Sequence, residues 1–133
     1  MDLKEFVQYD AENDVLMETF DADVLAEHAE EYYDLVVNTL EGKPRRYALI
    51  DMRRITMGGD SAQFMGKEYR QRLVDGGMRA KYEKVAFVIE HPTTRFFAKL
   101  MHKMGLAQNP AVKDIDVKYF KETQKALAWL IGD

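Results

Sequence analysis

The spacing of apolar side chains changes along the chain, and each change marks a different element. Residues 3–9 alternate loosely between apolar and polar and predict a strand. Asp10-Ala11-Glu12-Asn13-Asp14 is polar and turn-like, and residues 15–20 predict a second strand. So short a polar connection between two strands argues for an antiparallel hairpin. From 22 to 41 the period lengthens to that of a helix. Leu25, Ala29, Tyr32, Val36 and Leu40 form one apolar stripe, while Glu27, Glu30, Glu31 and Asp34 fall largely outside it. His28 lies near that stripe and is expected as a packed core residue. Asp21 or Asp23 can cap the helix, because a carboxylate accepts the free N–H groups of the first turn. Gly42 followed by Pro44 is a stop signal.

Two nearly continuous apolar runs follow, at 47–51 and 85–89. Such runs suit central strands covered on both faces. A polar, helix-compatible segment, 60–75, lies between them. The resulting strand–helix–strand unit predicts parallel strands with a right-handed crossover. A third helix is predicted over 93–104 and stops at Gly105, after which a loop passes through Asn109-Pro110. Residues 115–120 alternate as a half-buried strand. A closing helix over 121–131 buries Ala126, Leu127, Leu130 and Trp129. The order β-β-α-β-α-β-α-β-α predicts an α/β fold, a five-stranded mixed sheet with about four helices. Its N-terminal hairpin is antiparallel and the later strands are parallel. The 133 residues suit one domain, 1–133.

Composition narrows the chemistry. The chain has no cysteine, so disulfides, thiol nucleophiles and thiolate metal sites are excluded, which suits a cytoplasmic protein. The first residues lack the pattern of a signal peptide, and no apolar run has the length of a bilayer span. The net charge of −4 conceals an asymmetry: residues 1–42 hold 13 of the 23 acidic side chains but one of the 19 basic ones. Either the two parts interleave in space and their fields cancel, or the basic part is drawn toward anions. Arg45-Arg46, Arg53-Arg54, Arg79, Lys81 and Lys84 could meet phosphates. An isoelectric point near 5.4 and the lack of a reading motif argue against nucleic acid.

In a parallel sheet, ligands sit at the carboxyl ends of the strands, near a reversal of strand order. That rule places Asp51, the loop 52–61, Glu90 and His91 at the candidate site. Gly58-Gly59-Asp60-Ser61 opens a helix. Glycines let backbone N–H groups face an anion, and a helix N-terminus favours negative charge. The same residues also read as a plain turn with an N-cap, and Asp60 would repel an anion. Ser61, His91 and Asp51 are the residue types of a nucleophile, a base and an orienter. No G-x-S-x-G elbow surrounds Ser61, so no catalytic residue is assigned and the chain is not read as an enzyme. His28, His91 and His102 lack metal-ligand spacing, and neither a metal nor a cofactor is expected.

The segment 93–104 has no acidic residue. Phe97, Leu100, Met101 and Met104 share one helical face with Phe96 beside them, while Arg95, Lys99 and His102 line the other with Lys103 near. A basic amphipathic helix of this kind can lie on an anionic membrane, and Met adapts to a variable apolar ligand. The pattern equally fits a helix whose apolar stripe packs on the sheet.

The element order, together with three stretches of sequence, resembles the SpoIIAA-like branch of the STAS fold. Tyr47-Ala48-Leu49-Ile50-Asp51-Met52 is similar to that family's third strand, and Val85-Ala86-Phe87-Val88-Ile89 to its fourth. The Ala126-Leu127-Ala128-Trp129-Leu130 ending is similar to its closing helix and is the most specific of the three. STAS antagonists carry Asp-Ser-Ser-Gly after the third strand, with the first serine phosphorylated by a partner kinase. Here Asp60 falls on that serine without a gap, or Asp60-Ser61 matches Asp-Ser after one shift, and the following Ser-Gly is absent. A further likeness of the family to CRAL-TRIO domains implies a hydrophobic ligand.

The leading expectation is therefore a non-catalytic module that binds an apolar or amphipathic, lipid-like ligand. It would touch a membrane peripherally through Phe96, Phe97, Lys99, Met101 and Lys103. The alternative is a STAS-type regulatory domain that binds a kinase or other signalling protein near Asp60-Ser61. A small hydrolase is the third. Charge also suggests a homodimer, with the acidic first helix against a basic surface of a second copy.

Overall fold

Five short strands lie side by side in the order in which they occur in the chain. The computed structural model describes residues 2–43, 46–54, 82–90 and 115–132. Strand β1 (Val7–Asp10) runs antiparallel to β2 (Val15–Thr19), from Val7 opposite Glu18 to Asp10 opposite Val15. β2, β3 (Tyr47–Asp51), β4 (Lys84–Val88) and β5 (Asp116–Phe120) are mutually parallel. The two apolar runs are thus neighbours that point the same way, as their spacing predicts. One expectation is corrected. The order β1-β2-β3-β4-β5 never turns back, so the sheet has no reversal of strand order. Each crossover moves one strand further in the same direction, and the crevice that a reversal would open is not formed.

The hairpin closes through residues 11–14. Asp14 takes a left-handed conformation (φ 57°), which a short polar side chain tolerates. The Asp10 carboxylate accepts from the Asn13 backbone at 3.2 Å and from its side chain at 2.8 Å. The strand expected over 3–9 is shortened. Leu3–Glu5 is a single 3-10 turn, because Asp2 accepts the Lys4 N–H at 3.0 Å and Phe6 N–H returns to the Leu3 carbonyl. A side-chain acceptor beside the backbone competes with the strand ladder.

Helix α1 (Ala22–Leu40) begins at Asp21, whose Oδ1 accepts from Asp23 and Val24 N–H. Beyond its end, Gly42 has φ 78°, a left-handed conformation that glycine adopts without a steric cost. Tyr32, Val36 and Leu40 of the expected stripe are fully buried, joined by Val24, Tyr33 and Val37. The side chains of Leu25 and Ala29 lie outside the described residues. His28 is corrected: its backbone leaves helical values (φ −129°, ψ 31°), and its half-buried ring stands 3.3 Å from Glu31 and 3.9 Å from Glu27. A ring at a kink between two carboxylates is not a core residue.

Helix α2 (Thr123–Ile131) starts two residues later than the periodicity predicts and buries Ala126 and Leu130, with Leu127 and Trp129 partly covered. Among the described residues there are two α-helices. Those expected over 60–75 and 93–104 lie outside them.

The two described helices sit on opposite faces of the sheet. On the first face, Leu16, Ala48, Ile50 and Val85 pack against Tyr32, Val36 and Leu40 of α1. On the second, Val15, Leu49, Ala86 and Val88 pack against Ala126 and Leu130 of α2. Strand alternation makes this division: Val15 and Leu16 are both fully buried because each faces a different helix. Burying each such side chain contributes about 1.5–3 kcal/mol.

Candidate functional site

The parallel strands all end on one edge, and their hydrogen bonding continues one residue past each strand. Phe20 N–H donates to the Asp51 carbonyl at 2.9 Å, Met52 N–H to Val88 at 2.9 Å, and Ile89 N–H to Phe120 at 2.8 Å. This fixes the backbone from which Asp21, Asp51, Arg53, Arg54 and Glu90 project.

Asp51 is held by the residue two positions on. Its Oδ1 accepts from the Arg53 backbone and from Nε, both at 2.9 Å, and its Oδ2 accepts from the second guanidinium nitrogen at 2.7 Å. Burial pushes the Asp51 carboxyl up. The Arg53 hydrogen bonds, with the charges of Arg53 and Arg54, more than reverse that and hold it below the ordinary carboxylate range. Arg53 is held above its own ordinary value, first by its hydrogen bond to Asp51 and then by that residue's charge. Burial opposes this, and the charge of Glu90 adds to it. The bidentate pair is planar and directional, which a lysine could not reproduce.

Arg54 takes the other direction. One of its guanidinium nitrogens lies 3.7 Å from Oδ2 of Asp21, the oxygen not used to cap α1, and its carbon stands 5.7 Å from the Phe6 ring centroid. The edge thus carries two guanidiniums, one held by hydrogen bonds to Asp51 and one at ion-pair distance from Asp21, both still partly open to solvent. Because both oxygens of Asp51 accept from Arg53, this carboxylate is ionised and directed at Arg53.

Of the residues expected at the site, Asp51 and Glu90 are placed on this edge. Gly58, Gly59, Asp60, Ser61 and His91 lie outside the described residues. So do Phe96, Phe97, Lys99, Leu100, Met101, Lys103 and Met104 of the expected ligand-binding helix. Among the described residues, no three His, Asp or Glu side chains converge as a metal site, and no helix is long and apolar enough to cross a membrane.

Just below the edge lies a feature that sequence reasoning missed. Glu18 of β2 is 1% exposed, the one buried charged residue among those described. Its Oε1 accepts from the Tyr32 hydroxyl of α1 at 3.2 Å and its Oε2 from the Tyr82 hydroxyl at 2.8 Å. Burying a carboxylate is costly unless its oxygens are bonded, and two phenols from distant parts of the chain supply that here. A signal was present. In 15–20, alternation puts Glu18 in phase with Leu16, on the face that Tyr32 covers.

Comparison with known proteins adds one finding. A family model described as SpoIIAA-like matches residues 15–131. No curated protein and no solved structure matches the chain.

Proposed function

The chain belongs to the SpoIIAA-like family, and from that premise we propose that it is a non-catalytic regulatory module that binds another protein at the carboxyl edge of its sheet. The observation that carries this reading is the pairing of Asp51 with Arg53 and of Asp21 with Arg54. It presents two guanidiniums, that of Arg53 oriented by Asp51, where β3 leads into the segment containing Asp60-Ser61. Guanidiniums of this kind recognise carboxylates and phosphorylated side chains through paired hydrogen bonds. A lipid-like ligand gains no support from the described residues, and protein binding replaces it as the leading reading.

The test is co-purification of the tagged chain with its partner, compared with Arg54→Glu, Asp60→Lys and Ser61→Ala variants whose unfolding midpoints match the parent. A stoichiometric complex weakened about tenfold or more by these changes is expected. Self-association alone, or a complex indifferent to all three substitutions, overturns the reading. So does turnover on a panel of ester substrates that is lost in Ser61→Ala.

A further inference from the structure

The second face of the sheet carries positive charge that the carboxyl edge does not use. Lys84 begins β4 and Lys118 lies in the middle of β5. Both point toward α2, and their ammonium nitrogens stand 5.1 Å and 5.3 Å from the centroid of the Trp129 ring. Lys84 is also 5.3 Å from the Tyr47 ring. Trp129 is half-buried and packs on Phe120, with centroids 5.8 Å apart. Neither ammonium has an ion pair among the described residues. Asp116, the register neighbour of Lys84, is exposed and forms none either.

Two like charges repel, yet here both are gathered over one indole. The ring quadrupole attracts each of them and fixes their stems along apolar surface. Their ammonium groups are thereby positioned before any ligand arrives, which lowers the ordering cost of binding an anion. On the opposite face, α1 exposes Asp23, Glu27, Glu30, Glu31 and Asp34. Among the described residues, the α1 helix thus exposes carboxylates on one face of the sheet, while the α2 side carries lysines gathered at aromatic rings.

We infer that the surface formed by Tyr47, Lys84, Lys118 and Trp129 is a docking site for an acidic segment of a partner protein. The inference rests on the protein-binding reading above and supplies a second contact surface for it. Charge complementarity selects the occupant: two fixed ammoniums flanked by aromatic rings fit carboxylates carried on a chain whose stems lie on the rings. A membrane or nucleic acid presents a broad sheet of negative charge, whereas two ammoniums about one ring form a small patch that matches a few carboxylates. The acidic helix of a second copy is complementary too. Because the two surfaces lie on opposite faces, copies joined in that way would associate head to tail, into an open chain or a ring, and not into a closed dimer.

Trp129 is the single tryptophan, so its emission reports on this surface alone. The experiment titrates the full chain with a short capped peptide of glutamate and glycine, beside its lysine counterpart. A saturable change in emission with the acidic peptide is expected, weakening as salt is raised. Lys84→Glu with Lys118→Glu should weaken it about tenfold or more. Lys43→Glu, which removes a lysine 4.3 Å from the Tyr9 ring on the other face, should leave it unchanged. No saturable change, or binding that survives the double substitution, overturns the inference. So does equal or tighter binding of anionic vesicles or an oligonucleotide at the same residues, or growth of oligomers in light scattering without peptide. A partner complex lost on Arg54→Glu but indifferent to Lys84→Glu and Lys118→Glu would sink this surface alone and leave the edge reading standing.

Discussion

The two faces of the sheet are built on different principles. Under α2, Val15, Leu49, Ala86, Val88, Ala126 and Leu130 form a cluster with no buried charge among the described residues. Under α1, an equally buried cluster has Glu18 within it, bonded by Tyr32 and Tyr82. An apolar cluster tolerates small shifts, since dispersion and burial are not directional. A carboxylate gripped by two hydroxyls is directional, and leaving either partner unmade costs about 1–3 kcal/mol. The α2 face is therefore stabilised chiefly by volume. The α1 face has its geometry specified as well, tying β2, α1 and the chain just before β4 into one arrangement. Outside the core the contrast persists, with carboxylates on α1 and lysines over Trp129 on the α2 side.

The largest effect that separates the faces should come from Leu130→Ala. It removes a side chain 1% exposed and leaves a cavity between α2 and the sheet. A loss of about 3 kcal/mol is expected in urea unfolding, within the range of such truncations. Leu130→Met, which conserves volume, should cost less than about 1.5 kcal/mol.

Glu18 should behave differently. Glu18→Ala removes the cost of a buried carboxylate but also the acceptor that both hydroxyls donate to, for a net loss of about 2–3 kcal/mol. Here shape alone should not rescue. Glu18→Met, of similar size, should remain as damaging as Glu18→Ala, while Glu18→Gln should recover part of the loss because it still offers an acceptor. If Met and Gln proved equivalent at this position, the distinction between the faces would collapse.

The smallest effect belongs to the edge. Asp51 has its folded pKa lowered, so its contribution is complete above the unfolded carboxylate value of about 3.9 and is lost as pH falls through the lower folded value. The pair with Arg53 is partly exposed, and solvent screening limits it to about 1 kcal/mol or less. Asp51→Asn should therefore lower stability slightly at neutral pH. Its gap from the parent should close in urea titrations carried progressively below that value. A gap that widened in acid would reverse the sign assigned to this pair.

How much of this was legible beforehand follows from the range of the interactions. The strand pair at 47–51 and 85–89, the cap at Asp21 and the stop at Gly42 depend on neighbours a few residues away, and the pattern displays them. The 3-10 turn at Leu3–Glu5 was hidden because one hydrogen bond, from the Lys4 N–H to the Asp2 carboxylate, outweighs a loose alternation. His28 fell near the stripe by periodicity, but the helix kinks at that residue, so its phase no longer predicts its face. At the candidate site, Asp51 was identified at a strand end, whereas its capture by Arg53 depends on how the chain turns after it.

The sequence by itself determined the five strands and the two described helices to within a few residues, the parallel or antiparallel sense of the strands and the split of charge between the two parts of the chain. These depend on side-chain period and on short connections, which act locally. Only the tertiary structure decided that the strand order never reverses, that Tyr82 reaches Glu18 across 64 positions, and that two lysines from different strands share one indole. Those facts depend on register between strands far apart in the chain, which no local pattern encodes.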